Sequence, residues 1–178
     1  MQTCEKVNLE IPCEADIANE VYDTLKTCYD TNLSSNLVLL CRRAGEHIDI
    51  FALSKSSIDE VLKRILESAQ PHVVSMGVHI FRKQSRKLLP MLGLLNFIKP
   101  HRGYVVVSYE GIKHFLYGKD ILYDNIVEIV ELPATCNLPY IVVGPKGEAI
   151  GYGRLVIFKG KPLIRNVLDL GWYLRSGV

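Results

Sequence analysis

The chain has 178 residues, of which 48% are apolar and 22% charged, enough apolar surface for a packed core and too much for a disordered protein. No apolar run reaches the roughly 18–20 residues that a bilayer span needs, and the opening Met1–Glu5 lacks the basic-then-apolar build of a secretory signal. A soluble, intracellular protein is expected, and its net charge of +2 divides into −5 over residues 1–70 and +7 over residues 71–178, so one end is suited to meet a polyanion.

Helical spacing of Ile17, Val21, Leu25 and Cys28 predicts a helix over 14–29. Asn36 to Arg43 reads as a strand, Ala44-Gly45-Glu46 as a turn, and the alternation of His47 to Leu53 as a second, half-buried strand. Ser57 and Glu60 form a capping-box pair opening a helix with an apolar face from Ile58 to Ala69, which Pro71 ends. Val73 to Phe81 is a further strand. Leu89 to Ile98 is expected to be a helix, with Pro90 in its first turn.

Lys99-Pro100-His101-Arg102-Gly103 is short and polar and carries both Pro and Gly, so it marks a linker between domains at 1–98 and 99–178. Beyond it, Tyr104 to Val107 reads as a buried strand and Glu110 to Tyr117 as a short helix. Strands follow at Ile126 to Leu132, Tyr140 to Val143, Ala149 to Phe158 and Leu163 to Val167. Gly, Pro and Asn punctuate them, as in a small barrel or sandwich.

Catalytic and metal motifs are not found. The five cysteines (Cys4, Cys13, Cys28, Cys41, Cys136) are odd in number and form no C-x-x-C pair, which argues against a zinc ribbon and a complete disulfide framework. Buried free thiols are expected, with an intracellular disulfide left open as the alternative for a hyperthermophile. Gly151-Tyr152-Gly153 lacks the third glycine and the following helix of a dinucleotide fingerprint, and Gly144-Pro145-Lys146-Gly147 reads as a turn. The five histidines are scattered, no nucleophile elbow occurs, and no cofactor is implied.

Two basic clusters remain. Arg82, Lys83, Arg86 and Lys87 fall within six residues after a strand. Arg154, Lys159, Lys161 and Arg165 surround a turn between two predicted strands, with Tyr152 and Phe158 interleaved. Cations neutralise phosphates and aromatic faces stack on unpaired bases, so the second cluster is the stronger candidate for gripping RNA. Tyr152 and Phe158 themselves are expected to be core residues.

Residues 103–178 resemble a PUA domain, an RNA-binding module. The likeness is carried by Gly111-Ile112-Lys113-His114-Phe115-Leu116-Tyr117-Gly118-Lys119-Asp120-Ile121, by Ile150-Gly151-Tyr152-Gly153, and by Asp169-Leu170-Gly171-Trp172-Tyr173-Leu174-Arg175. Phe115-Leu116-Tyr117-Gly118, the chain length and Val74-Ser75-Met76-Gly77 are similar to the nuclear-import-protein-seven family of ribosome biogenesis factors. The resemblance implies an α+β protein: an α/β pre-PUA domain with a mainly antiparallel sheet, then a PUA-like β pseudobarrel. It also implies a non-catalytic role in ribosomal RNA maturation and large-subunit assembly, with ribosomal RNA, pre-ribosomal proteins and exosome components as partners, and neither membrane nor DNA. The location implied is the cytoplasm, or the nucleolus for a eukaryotic source. Gly111 and Gly118 would let backbone approach a phosphate, and Lys113 and Lys119 would supply charge beside it. The competing readings are an RNA-modifying enzyme with an appended PUA domain and an adaptor for acidic proteins.

Overall fold

The computed structural model describes residues 8–10, 13–57 and 76–176. The chain divides into two compact units, Met1–Asp23 with Asn32–Phe97, and Thr24–Thr31 with Ile98–Val178. The Thr24–Thr31 segment thus belongs with the C-terminal half, a regrouping that no local sequence signal announces.

The first unit is an antiparallel sheet in the order β1-β2-β3-β4-β5. Its strands are β1 (Asn8–Glu10), β2 (Leu37–Ala44), β3 (His47–Ser54), β4 (Val78–Gln84) and β5 (Lys87–Pro90). Register sets Cys41, Ile50 and Phe81 side by side, all fully buried. Two residues along, on the same face, Arg43 pairs with Glu14 at 2.8 Å and Lys83 with Glu20. Helix α1 (Ala15–Thr24) therefore covers this face, and Ile17 and Val21 supply its buried stripe. A disulfide from Cys13 to Cys41 fastens the chain ahead of α1 to the same face.

The opposite face carries a charged row, Arg42, Asp49 and Arg82, directly opposed on three neighbouring strands. Asp49 is only 1% exposed and takes hydrogen bonds from Arg42 Nη2 at 2.6 Å and Arg82 Nε at 2.7 Å. His79 Nε2 lies 3.3 Å from the same carboxylate, and its ring stacks on Phe51. Burial alone would raise the Asp49 carboxyl, but the two arginine hydrogen bonds win and hold it below its ordinary value.

In the second unit the sheet order is β10-β9-β8-β6-β7, formed by β6 (Tyr104–Val107), β7 (Ile126–Val130), β8 (Tyr140–Val143), β9 (Ala149–Phe158) and β10 (Lys161–Asp169). All neighbours are antiparallel except β6 and β8, which are parallel across a crossover holding helix α2 (Tyr109–Leu116). Ser108 caps α2: its Oγ accepts from the Gly111 amide at 3.1 Å and donates to Asn125 Oδ1 at 2.7 Å. The sheet curls until Ile121 bridges Ile164 on β10, enclosing Val105, Val107, Phe115, Val142 and Ile150. The π-helical turn Leu25–Tyr29 joins this unit. Buried Tyr29 donates from its hydroxyl to the Pro139 carbonyl at 2.7 Å, and Cys28 is disulfide-bonded to Cys136. The α+β class, the antiparallel first sheet and the PUA-like second sheet are as expected.

Two expectations are corrected. Leu89 to Ile98 is not a helix: β5 runs through Pro90 and a 3-10 turn follows at Leu92–Asn96. Leu88 and Pro90 are buried while Leu89 is exposed, so pairing with β4 imposes a strand alternation on an apolar run. Four of the five cysteines are disulfide-bonded rather than free; their partners are 28 and 108 residues apart, distances at which spacing carries no signal. The basic stretch Arg82 to Lys87 forms the β4–β5 hairpin, turning at Ser85 with φ +53°. The helix expected from Ser57 and Glu60 to Ala69 lies beyond Ser57 outside the described residues, as do Val73 to Ser75 of the following strand. Among the described residues no helix is long and apolar enough to cross a membrane, and no group of three or more Cys, His, Asp or Glu could hold a metal ion.

Candidate nucleic-acid interface

The β9–β10 hairpin builds the candidate surface. Arg154 is paired in register with Arg165, Val156 with Leu163, and Phe158 with Lys161, so these six side chains share one face. The other face carries Leu155 and Ile164 into the core. Arg154 and Arg165 are both exposed, and among the described residues neither has an ion pair. Like charges directly opposed destabilise a strand pair, and an anion between or beside them would relieve that repulsion.

Lys159 and Gly160 form the hairpin's two-residue turn, with φ +52° and +78°. Both positive angles suit a type I′ turn, which a lysine enters at a steric cost that Asn or Gly would not incur. Lys159 Nζ lies 5.4 Å from the Phe158 ring centroid, and Lys161 Nζ lies 5.1 Å from that of Tyr123. Four residues of strand, about 13 Å, separate Lys161 from Arg165, so the cations form a row along one hairpin.

The structure places the remaining candidates as follows. Lys119 is exposed, without an ion pair among the described residues, on the segment that reaches Ile121 and runs beside β10; Asp120 Oδ1 accepts the Asn166 amide at 2.9 Å there. Lys113 is exposed on α2 but paired with Glu110 at 3.0 Å, and this pairing holds the Glu110 carboxyl below its ordinary value. Gly111 is buried: a Cβ there would lie 3.1 Å from the Val107 Cβ and 3.2 Å from the Asn125 Cβ, so its role is to let α2 approach the sheet. Gly118 closes α2 with φ +77° and a hydrogen bond to the Phe115 carbonyl. In the other cluster, Arg82 and Lys83 are engaged by Asp49 and Glu20, while Arg86 and Lys87 stand exposed at the hairpin end.

Tyr152 is a core residue at 1% exposure, as expected, but Phe158 is not: it is 54% exposed at the hairpin tip. Sequence reading missed Tyr123, which is 49% exposed in the 3-10 turn Tyr123–Asn125. An aromatic inside the polar run Tyr123-Asp124-Asn125 was the available signal.

The terminal motif has a structural explanation. Asp169, buried, receives Arg175 Nη1 on Oδ1 at 3.0 Å and Nη2 on Oδ2 at 2.8 Å. Arg175 also donates to the Leu116 carbonyl and lies so close to Gly118 that a Cβ there would come within 3.1 Å of it. Asn166 Nδ2 donates to the Phe115 carbonyl at 2.8 Å. Phe115-Leu116-Tyr117-Gly118 and Asp169 to Arg175 are thus two halves of one lock.

The curled half-barrel closed by this lock is that of a PUA-type module, a class to which RNA binding is ascribed. Residues 103–178 match the model of the UPF0113 PUA domain. A UPF0113 protein of Aeropyrum pernix is 32% identical over 120 residues, covering 65% of this chain, and the matched stretch spans 65% of that protein's length. Among solved structures, a conserved PUA domain protein from Thermoplasma acidophilum superimposes with TM-score 0.62 at 16% identity, covering 96% of this chain and 98% of that one. A protein from Pyrococcus horikoshii OT3 gives TM-score 0.52 at 14% identity over 93% and 98% of the two chains. A PUA domain from Aeropyrum pernix K1, crystallised with tartrate, gives TM-score 0.52 at 15% identity over 96% and 92%. At such identities these structures establish the fold.

Proposed function

We propose that the protein is a non-catalytic RNA-binding factor acting in ribosomal RNA maturation and large-subunit assembly, as the resemblance to the nuclear-import-protein-seven family implies. The observation that carries the RNA-binding part is the opposed pair Arg154 and Arg165, two exposed cations in register without a carboxylate partner among the described residues. Lys159, Lys161 and Lys119 extend the same charge. Four phosphate contacts on a single strand give a slope of about −2.8 in log affinity against log salt, so raising salt from 50 to 200 mM weakens binding roughly 50-fold.

Filter binding with the full chain and a single-stranded RNA tests this reading. Replacing Arg154, Lys159, Lys161 and Arg165 together with alanine removes most of the affinity and flattens the salt dependence. Unchanged affinity overturns the site. Crosslinking in cells followed by RNA sequencing tests the ribosomal assignment, which stands if ribosomal RNA precursors dominate the reads and falls if they do not. Pre-ribosomal proteins and exosome components are the protein partners proposed, and the cytoplasm, or the nucleolus in a eukaryote, the location.

A further inference from the structure

A small hollow lies between the turn at Leu122–Asp124 and the tip of the β9–β10 hairpin. Leu122, Tyr123, Asp124, Phe158, Lys159 and Lys161 line it, with Leu163 beneath, and its volume is about 190 Å³. Sites for drug-sized ligands run to roughly 300–1,000 Å³, so this one has room for a single planar ring and not for a whole nucleotide cofactor.

Its chemistry is that of a stacking site. Tyr123 and Phe158 are both about half exposed, each with a lysine ammonium near its ring. A stacked base contributes more than an exposed cation–π contact, and the displaced ammonium groups would meet the phosphates on either side of that base. Asp124 also lines the hollow, and among the described residues its carboxylate has no hydrogen bond or ion pair. Every RNA base presents at least one N–H on its pairing edge for such an acceptor. The lysines favour a polyanion over an apolar peptide side chain as the occupant.

We infer that this hollow is a single-base slot, taking one unpaired nucleobase of an RNA strand onto Tyr123 and Phe158 while Lys159 and Lys161 hold the flanking phosphates. The inference rests on the RNA-binding reading above and adds to it a defined position at which a base, rather than the backbone alone, is engaged.

The test titrates the full chain into ten-nucleotide single-stranded RNAs, each carrying one 2-aminopurine at a different position. The native protein quenches the fluorophore strongly at one position, and an abasic nucleotide there weakens binding about tenfold, the scale of one stacked base. Tyr123→Leu with Phe158→Leu abolishes the quenching and weakens binding by a similar factor. Tyr123→Phe with Phe158→Tyr, which keeps both rings, restores both. Salt-sensitive binding with no quenching at any position, or with full affinity in the double leucine variant, overturns the slot and leaves the RNA-binding reading standing. Absence of RNA binding by the native chain overturns both.

Discussion

Asp169 and Arg175 are joined by a two-pronged ion pair, 3.0 and 2.8 Å long, that pins the last turn of the chain against the end of α2. Removing the cation from such a pair leaves a buried carboxylate uncompensated, which in fully enclosed pairs costs about 3–5 kcal/mol. The Arg175 side chain is 33% exposed, so the expected loss for Arg175→Ala is smaller than that and is read as a lowered midpoint in chemical denaturation. Arg175→Lys recovers little of it, because an ammonium cannot make the two parallel bonds.

Charge reversal at the hairpin separates stability from binding. Arg165→Glu sets a carboxylate directly opposite Arg154 and converts a like-charge pair into an ion pair. Thermal stability is expected to hold or to rise by about 0.2–1 kcal/mol. On the proposed site, RNA affinity is expected to fall by an order of magnitude or more at low salt, since one phosphate contact would be lost and a second neutralised. A joint fall in both would place Arg165 among the groups that hold the fold.

The turn residue Lys159 behaves in the same divided way. Its left-handed backbone costs a lysine roughly 1 kcal/mol that asparagine avoids. Lys159→Asn is therefore expected to raise the melting temperature while lowering RNA affinity a few-fold, measured by calorimetry and filter binding on the same preparation.

The Asp49 row makes the first unit acid-sensitive in two steps. Burial holds His79 below its ordinary value of 6.5, so the unfolded chain takes up its proton first. The stability from neutral His79 is complete above pH 6.5 and is lost as pH falls from there towards the folded value. Asp49 follows lower down: its depressed carboxyl stabilises the fold above 3.8, and this contribution disappears as pH drops through the folded value. His79→Gln should flatten the stability profile between pH 7 and 5, and Asp49→Asn should destabilise at neutral pH while flattening the profile below pH 4. Denaturant midpoints across that range decide both.

What could be read from the sequence was what depends on neighbours in the chain. Tyr104 to Val107 and Tyr140 to Val143 are apolar runs bounded by Gly, Pro or Ser, Ala149 to Phe158 lies between Gly147 and Gly160, and each is a strand over those residues. Leu89 to Ile98 misled because its apolar run suits a helix equally well, and pairing of Leu88 with Lys83 decides otherwise. Arg154 and Arg165 were both named, but that they stand opposed follows only from the hairpin register. Tyr123 meets Lys161 because the chain just before it, at Ile121, bridges Ile164, an approach across some forty residues that no periodicity encodes.

The two disulfides should differ in weight. By loop entropy the Cys13–Cys41 bond, with its separation of 28 residues, contributes about 3.6 kcal/mol and the Cys28–Cys136 bond, with 108, about 4.8 kcal/mol. Cys136→Ser is thus expected to cost about 1 kcal/mol more than Cys13→Ser in denaturant titrations.

The Cys28–Cys136 bond also makes most of the polypeptide a covalent ring. A single protease cut anywhere between these two positions opens the ring without releasing a fragment. The nicked molecule would migrate as one band on a denaturing gel run without reductant and part into two only when a thiol is added.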